Sequence, residues 1–552
     1  MRLTTFIFLL CFINFPVSAQ DMAEYNGSWR GVVERSDALS FTVAIDLVDD
    51  REGTITVSNY RMEVKQKFDY SSAHEIKIPL ADDVYFIGYL ADDAASIHGF
   101  IQSGILFYNL KLDKSTSGLY TGKWHIFMFK KLEPNTVFLS VEGGAGDDYQ
   151  LYPFFGDDRF TGTWCNGFEK ENDELSFFDF KTGMRMKGRL LEEQILLQFI
   201  LLDEVVTEIS FSKTDPDWQI KTTHDSSEDV FNNKLQLSEL EDSIAAGGLA
   251  NTHAVLISRN GQTIYERYFN GYLADIPHDQ RSASKSVSSA MIGIAIDQGI
   301  IPSVTTSVLD YLPSEYSSGA DSLKRSIDFH SLLTMSSGLD ANDNSRDRVS
   351  AASENNYQQS PNWLKTVLSA EMVSPPNQHA NYGSANPYLL GRALDSILDE
   401  PTVLFMHRNL FEPLGVSNYI VQTDETGRPY FGGGMYLTPA QMLRFGELYL
   451  NEGTFNGKRI LTKDWVKASF TRHTNLENVA DQNGYGYLWW QHNYTNGGKT
   501  YQSYEARGAG GQYIFVIPEL SVVVAITSGN FRNGNTRQPE GILEQYVLPS
   551  LE

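Results

Sequence analysis

Two pairs of apolar strands stand at the ends of the stretch 236–552, and the segments between them read as helices. "HAVLISRNGQTIYERYF" (253–269) is a strand, an Asn260-Gly261 turn and a second strand, the strongest short hairpin signal. "GQYIFVIPELSVVVAITSG" (511–529) gives two more strands around Pro518-Glu519. Between them, "SVSSAMIGIAIDQG", stopping at Gly299, and "PAQMLRFGELYLNEG", stopping at Gly453, carry apolar periodicity and a terminal glycine. Strands at both ends with helices between them predict an antiparallel sheet covered by helices, an α+β layered domain.

The chain before this stretch has a different texture. From about 25 to 220, segments such as "SFTVAIDLVDD" and "ILFYNLKLD" alternate with period two and are separated by Asp, Gly and Ser clusters. Three Trp-bearing stretches recur, "NGSWRG", "TGKWHIF" and "TGTWCNG", and suggest an all-β barrel or sandwich with a weak repeat. Trp29, Trp124 and Trp164 are read as core or barrel-closing aromatics. The polar run "KTTHDSSEDVFNNK" (221–234) reads as a linker. The expected organisation is an all-β accessory region over 20–220, possibly in two parts, a linker over 221–235, and the α+β domain over 236–552. The first region is expected to have its own core and to contribute no catalytic residue.

At 552 residues two or three domains are expected, and 41% hydrophobic with 20% charged residues describe a globular protein. The formal net charge of −25 argues against nucleic acid as a partner, which needs a basic footprint. Arg2, the apolar run from Phe6 to Phe15 and Val17-Ser18-Ala19 form a secretory signal pattern over 1–19. That run is too short to span a bilayer, and no later stretch reads as a transmembrane segment. The expected location is the bacterial periplasm or exterior. Cleavage after Ala19 would leave Cys165 alone, a thiol expected to be buried and inert.

The segment "QRSASKSVSSAMIGIAIDQGI" (280–300) places Lys285 three residues after Ser282, at the start of a helix that is apolar nearly all round. Three residues apart on a helix share a face, so Lys285 reaches the Ser282 hydroxyl. A serine is a weak nucleophile until its proton is taken, and burial is expected to lower the lysine pKa toward that of a base. The same spacing occurs in Ser210-Phe211-Ser212-Lys213. That segment alternates as a strand, where residues three apart face opposite ways, so it is read as a decoy. A hundred residues on, "HANYGSANPYLLGRALD" sets Tyr382 and Ser384 just before a helix. A tyrosine beside a lysine can share its proton and serve as a base, although a tyrosine there more often only packs. In "YEARGAGGQYIFVIP", Gly508, Gly510 and Gly511 lead into a strand, where glycine permits close backbone approach or simply marks a bulge.

These three segments, in this order, resemble the class C β-lactamase superfamily, with its penicillin-recognising enzymes, family VIII carboxylesterases, nylon-oligomer hydrolases and D-aminopeptidases. The resemblance covers about 236–552 and is supported by "HSLLTMSSGLD", "GGGMYLTPAQMLRFGELYL" and "GYGYLWWQ". It implies a β-lactamase/penicillin-binding-protein-like fold and a serine hydrolase working through an acyl-enzyme. Ser282 would be the nucleophile, Lys285 its proton partner and Tyr382 the base. The backbone N–H groups of Ser282 and Ala509 would form the oxyanion hole, with Ser384 and Gly508 at the substrate. Ser384 stands where β-lactamases have asparagine, and Ala506-Arg507-Gly508 where they have Lys-Thr-Gly. The cation that holds a β-lactam carboxylate is thus missing, since Arg507 should face the other side of its strand. The resemblance therefore favours small esters, amides or peptides over β-lactams as substrates.

Other chemistries leave no trace. There is no Gly-x-Ser-x-Gly elbow and no His-Glu-x-x-His, and the eleven histidines do not cluster with metal spacing. "DANDNSRDRVSA" (340–351) begins like a calcium loop but lacks its glycine and final glutamate, and is read as a solvated loop near the site. No metal and no cofactor are implied. Two alternatives remain beside an esterase or amidase. One is a cell-wall peptide hydrolase of the D-aminopeptidase or carboxypeptidase kind, and the other a binding protein that kept the fold and lost turnover.

Overall fold

A computed structural model describes residues 22–551, apart from 49–51, 71–74, 129–134, 144–148, 156–162, 215–232, 318–320, 346 and 481. The signal pattern and most of the linker lie outside the described residues.

The α+β domain is built as its strand signals require. Its seven-stranded antiparallel sheet runs Gln262–Tyr268, Thr252–Arg259, Val522–Ser528, Gln512–Ile517, Lys499–Gly508, Trp490–Asn496, Gly484–Tyr485. The first hairpin turns at Asn260 and Gly261, both with positive φ (52° and 72°), as the tight primed turn demands. Both faces of the sheet are covered. Leu256, Ile514, Val516 and Val523 enter the main core with the helices Lys285–Asp297 and Pro439–Leu450. Val255, Ile257, Phe515 and Val524 pack instead with Leu240 of Ser238–Ala245 and with Ile542 and Leu548 near the C-terminus.

The first region is all strand over Gly27–Thr214, in two antiparallel arrangements whose apolar faces share one core. Trp29 and Trp124 are buried in it as expected. Trp164 is not, being 40% exposed, because it lies outside the strands and turns its ring to Lys181 instead. Cys165 is half-buried rather than fully buried, and burial pushes its thiol up to about 12, which keeps it unreactive near neutral pH.

The two regions are not independent bodies joined by a linker. Leu106–Lys114 pairs along one edge with Ser96–Ser103; its other edge is shared by Tyr120–His125 and, at its start, by Ile420–Gln422 from the α+β domain. Ile420 also pairs with Tyr436, and Met435–Leu437 pairs in turn with His278–Asp279. One eleven-stranded sheet thus crosses from the first region into the second and ends beside Ser282. The apolar contents are shared too: Ile87, Tyr89, Phe100 and Phe107 belong to the main core of the α+β domain. Strands of two or three residues carry almost no periodic signal, which is why the sequence shows a boundary where the fold has a seam.

Candidate active site

Ser282 lies in the 3₁₀ turn Arg281–Ser284, which runs into the helix Lys285–Asp297. The helix is buried from Lys285 to Ala295, so its apolar sequence anchors the turn in the core. Lys285 is 2% exposed; its Nζ donates to Ser282 Oγ at 2.8 Å and to the Gly432 carbonyl. The ammonium lies 5.2 Å from the centre of the Tyr382 ring, so Tyr382 stands against the Ser282–Lys285 pair. The three side chains named from sequence are therefore in mutual contact.

Tyr382 is held by its backbone and its ring. Asn478 Oδ1 accepts from its N–H at 2.7 Å, and Asn478 Nδ2 donates to its carbonyl at 3.1 Å. The ring stands 5.3 Å from that of Trp490, tilted by 31°. Ser384 is buried as the N-cap of Ala385–Ile397, and its hydroxyl and N–H both donate to Asp343 Oδ2 at 2.7 Å. Its hydroxyl proton is thus already engaged by the protein.

The expected depression of the Lys285 pKa is overturned. Burial does push it down, but Tyr382, Glu354 and Asp343 together outweigh burial and hold it above the ordinary lysine value. Tyr382 is raised as well, chiefly by burial, against the opposing pull of Lys285 and the Ser282 hydrogen bond.

Gly508 is placed by contact. A Cβ there would lie 2.1 Å from the Gln280 carbonyl oxygen and 3.2 Å from the Ala283 nitrogen, so only glycine lets this strand end meet the turn that carries Ser282. Ala509 follows, exposed in the turn after the strand end. The first N–H groups of a helical turn have no acceptor within it, which suits a pair of donors aimed at one oxygen. Ala506 is buried, and Arg507 faces the other side of the sheet, as expected. It is locked to Glu505 at 2.6 Å and Glu540 at 3.5 Å, 5.2 Å from the Trp490 ring centre.

Several residues of the site were not singled out in the sequence. Asp343 ties Ser384 to the Glu354 N–H, which donates to its Oδ1 at 2.8 Å, and Glu354 accepts from the Tyr430 hydroxyl. The loop read as solvated is exposed at Asn344 and from Asp347 to Val349, but its ends fold inward. Asp340 is 9% exposed and takes Arg348 at 2.7 and 2.9 Å, together with the Ala351 N–H. The acid-rich string "DANDN" was the available signal, and its carboxylates are spent on protein donors. Sequence spacing also hid a histidine contact. Among the described residues, His98, His407 and Glu412 bring possible metal donors within 4.8 Å. His98 turns Nδ1 to His407 Nε2 at 2.9 Å, while its opposite nitrogen Nε2 lies 3.8 Å from Glu412 Oε1. With the partners on opposite nitrogens of one ring, the set forms a polar chain across the seam rather than a converging ligand set.

A serine hydroxyl bonded to a buried lysine, with a tyrosine beside that lysine, makes an arrangement able to attack a carbonyl carbon. The family profile described as Beta-lactamase matches residues 239–545, and the chain belongs to that family. The 6-aminohexanoate-dimer hydrolase of Paenarthrobacter ureafaciens is 24% identical over 321 residues, 54% of this chain and 77% of that protein. A penicillin binding protein from Bacillus halodurans aligns at 16% identity and TM-score 0.41, over 56% of this chain and 99% of that one. A family VIII carboxylesterase aligns at 12% identity and TM-score 0.42, over 53% and 92%. The chain is thus a β-lactamase-family protein with hydrolase relatives, and no helix of its described residues is long and apolar enough to cross a membrane.

Proposed function

We propose that the protein is an exported serine hydrolase that forms an acyl-enzyme on Ser282 and hydrolyses small esters or amides. The observation that carries this reading is the mutual contact of Ser282, Lys285 and Tyr382, with Nζ 2.8 Å from Oγ. The reaction begins once the Lys285–Tyr382 pair has lost one proton, leaving a Tyr382 oxygen stabilised by the Lys285 ammonium. That oxygen takes the Ser282 proton as Oγ bonds to the substrate carbonyl carbon. The N–H groups of Ser282 and Ala509 hold the oxyanion. Tyr382 then returns the proton to the leaving alcohol or amine, and the acyl-enzyme remains. In the second half Tyr382 takes a proton from water, the resulting hydroxide attacks the acyl carbon, and Ser282 leaves with its proton restored.

Substrate choice follows from what lines the site. With Ala506 buried in place of a lysine and Ser384 bound to Asp343, the groups that would recognise a β-lactam carboxylate and amide are absent or engaged. The test is a panel of p-nitrophenyl esters, D-amino-acid amides and nitrocefin on the purified protein. Short esters turned over far better than nitrocefin are expected. Nitrocefin hydrolysis at a kcat/KM equal to that of the best ester would overturn the substrate reading. Preference for the D-amino-acid amides would favour the cell-wall peptide alternative.

A further inference from the structure

The sheet that crosses the seam ends two residues before Arg281, and Arg281 is unusual. Its φ is +47°, a left-handed conformation in a non-glycine residue directly before Ser282. Asp279 holds it there: Oδ1 accepts the Arg281 N–H at 3.0 Å, and Oδ2 lies 3.0 Å from Arg281 Nε. Asp279 is 9% exposed and pairs across the sheet with Tyr436. Over the Tyr436 ring, 5.0 Å from its centre, sits the Nζ of Lys181, a residue of the first region.

Lys181 is 2% exposed, in a turn that the surrounding chain fixes closely. Asp179 accepts from the N–H of Trp164 at 2.6 Å and of Thr182 at 3.1 Å. Ser103 Oγ donates to the Thr182 carbonyl, and the Lys181 carbonyl takes the Ile105 N–H. An ammonium buried this fully requires carboxylates around it. Burial draws its pKa down to about 8, and Asp279, ahead of Asp179, is the carboxylate that most favours its charge. Arg281 opposes it, and Tyr436 lies beside Asp279 and Tyr108.

We propose that Lys181 is a positioning residue of the active site: its ammonium packs on the ring of Tyr436, the strand partner of Asp279, Asp279 fixes the left-handed Arg281, and Arg281 sets the Ser282 hydroxyl and N–H. The first region is then part of the reaction centre, although none of its side chains touches the reacting atoms. The inference rests on Ser282 being the nucleophile, and the test separates the two ideas, because a wrong nucleophile would leave the wild-type protein unlabelled at Ser282. The experiment measures the second-order rate of fluorophosphonate labelling at Ser282 in full-length wild type, Lys181→Met and Lys181→Arg, from pH 6 to 10. At pH 7, Lys181→Met is expected to label about tenfold or more slowly, the scale of a small misplacement, and Lys181→Arg to recover to within about threefold of wild type. In wild type the rise with pH should bend near 8, where Lys181 discharges, whereas Lys181→Arg should keep rising. A methionine variant that labels at the wild-type rate would overturn the proposal. So would the same pH profile in wild type and Lys181→Arg, a comparison that stands even if Lys181→Met fails to fold.

Discussion

The spacing Ser-x-x-Lys occurs at 210–213 and at 282–285, and the two regions show what the pattern needs before it means chemistry. In the strand Glu204–Thr214 the serine and lysine turn to opposite sides. Ser210 Oγ donates to Gln194 Oε1 at 3.0 Å, and Lys213 Nζ donates to the Glu24 carbonyl at 3.2 Å. In the turn and helix from Arg281 the same spacing closes to 2.8 Å. Burial separates them further. Lys213 is exposed with water as an alternative partner, while Lys285 is sealed against Gly432 and Tyr382. Four letters specify a reactive pair only where the backbone is helical and a core closes over it.

The largest effect that would break this comparison is the loss of Ser282. Ser282→Ala should reduce ester turnover by about 10⁴-fold or more, the scale seen when a nucleophile is removed, measured as kcat/KM on the best p-nitrophenyl ester. Next come the proton partners. Lys285→Ala and Tyr382→Phe should each lower kcat by about 10²-fold or more, and the double variant should lose little beyond either alone, because the pair acts as a unit. Full activity in Tyr382→Phe would assign the base elsewhere. The pH dependence follows from the same pair. Both groups sit above their ordinary values, so the reactive form grows as one proton leaves. Labelling by a fluorophosphonate should therefore rise about tenfold per pH unit between pH 6 and 7.5. A profile flat over that range would mean a base already free at neutral pH.

Gly508→Ala should act at a distance of one contact. Its Cβ would meet the Gln280 carbonyl at 2.1 Å, so either the strand end or the nucleophile turn must move. Turnover should drop about tenfold or more while circular dichroism stays that of a folded protein. The smallest effects belong to the strand copy of the pattern: Ser210→Ala and Lys213→Ala should leave turnover within about twofold, as surface changes usually do.

Much of the site was legible because its signals are local. The 282–285 spacing, the apolar helix behind it, the hairpin at Asn260-Gly261 and the glycine at 508 each lie within a few residues of what they determine. What was not legible is long-range. Asp343 reaches Ser384 across 41 residues and Asn478 reaches Tyr382 across 96, with nothing in either segment to name its partner. The Lys285 pKa could not be foreseen for the same reason, since the acidic groups that raise it come from distant parts of the chain. The seam was hidden by the shortness of Ile420–Gln422, Met435–Leu437 and His278–Asp279, whose role lies in whom they pair with. A change of texture near 221–234 marks where one kind of secondary structure gives way to another, and the sheet takes no notice of it.

The central claim is that Ser282, and not another hydroxyl, becomes acylated. Intact-mass measurement and peptide mapping after treatment with a fluorophosphonate test it most directly. A single adduct on the peptide that carries Ser282 is expected in the wild-type protein, with no adduct on Ser282→Ala. An adduct that persists on that variant would contradict the account.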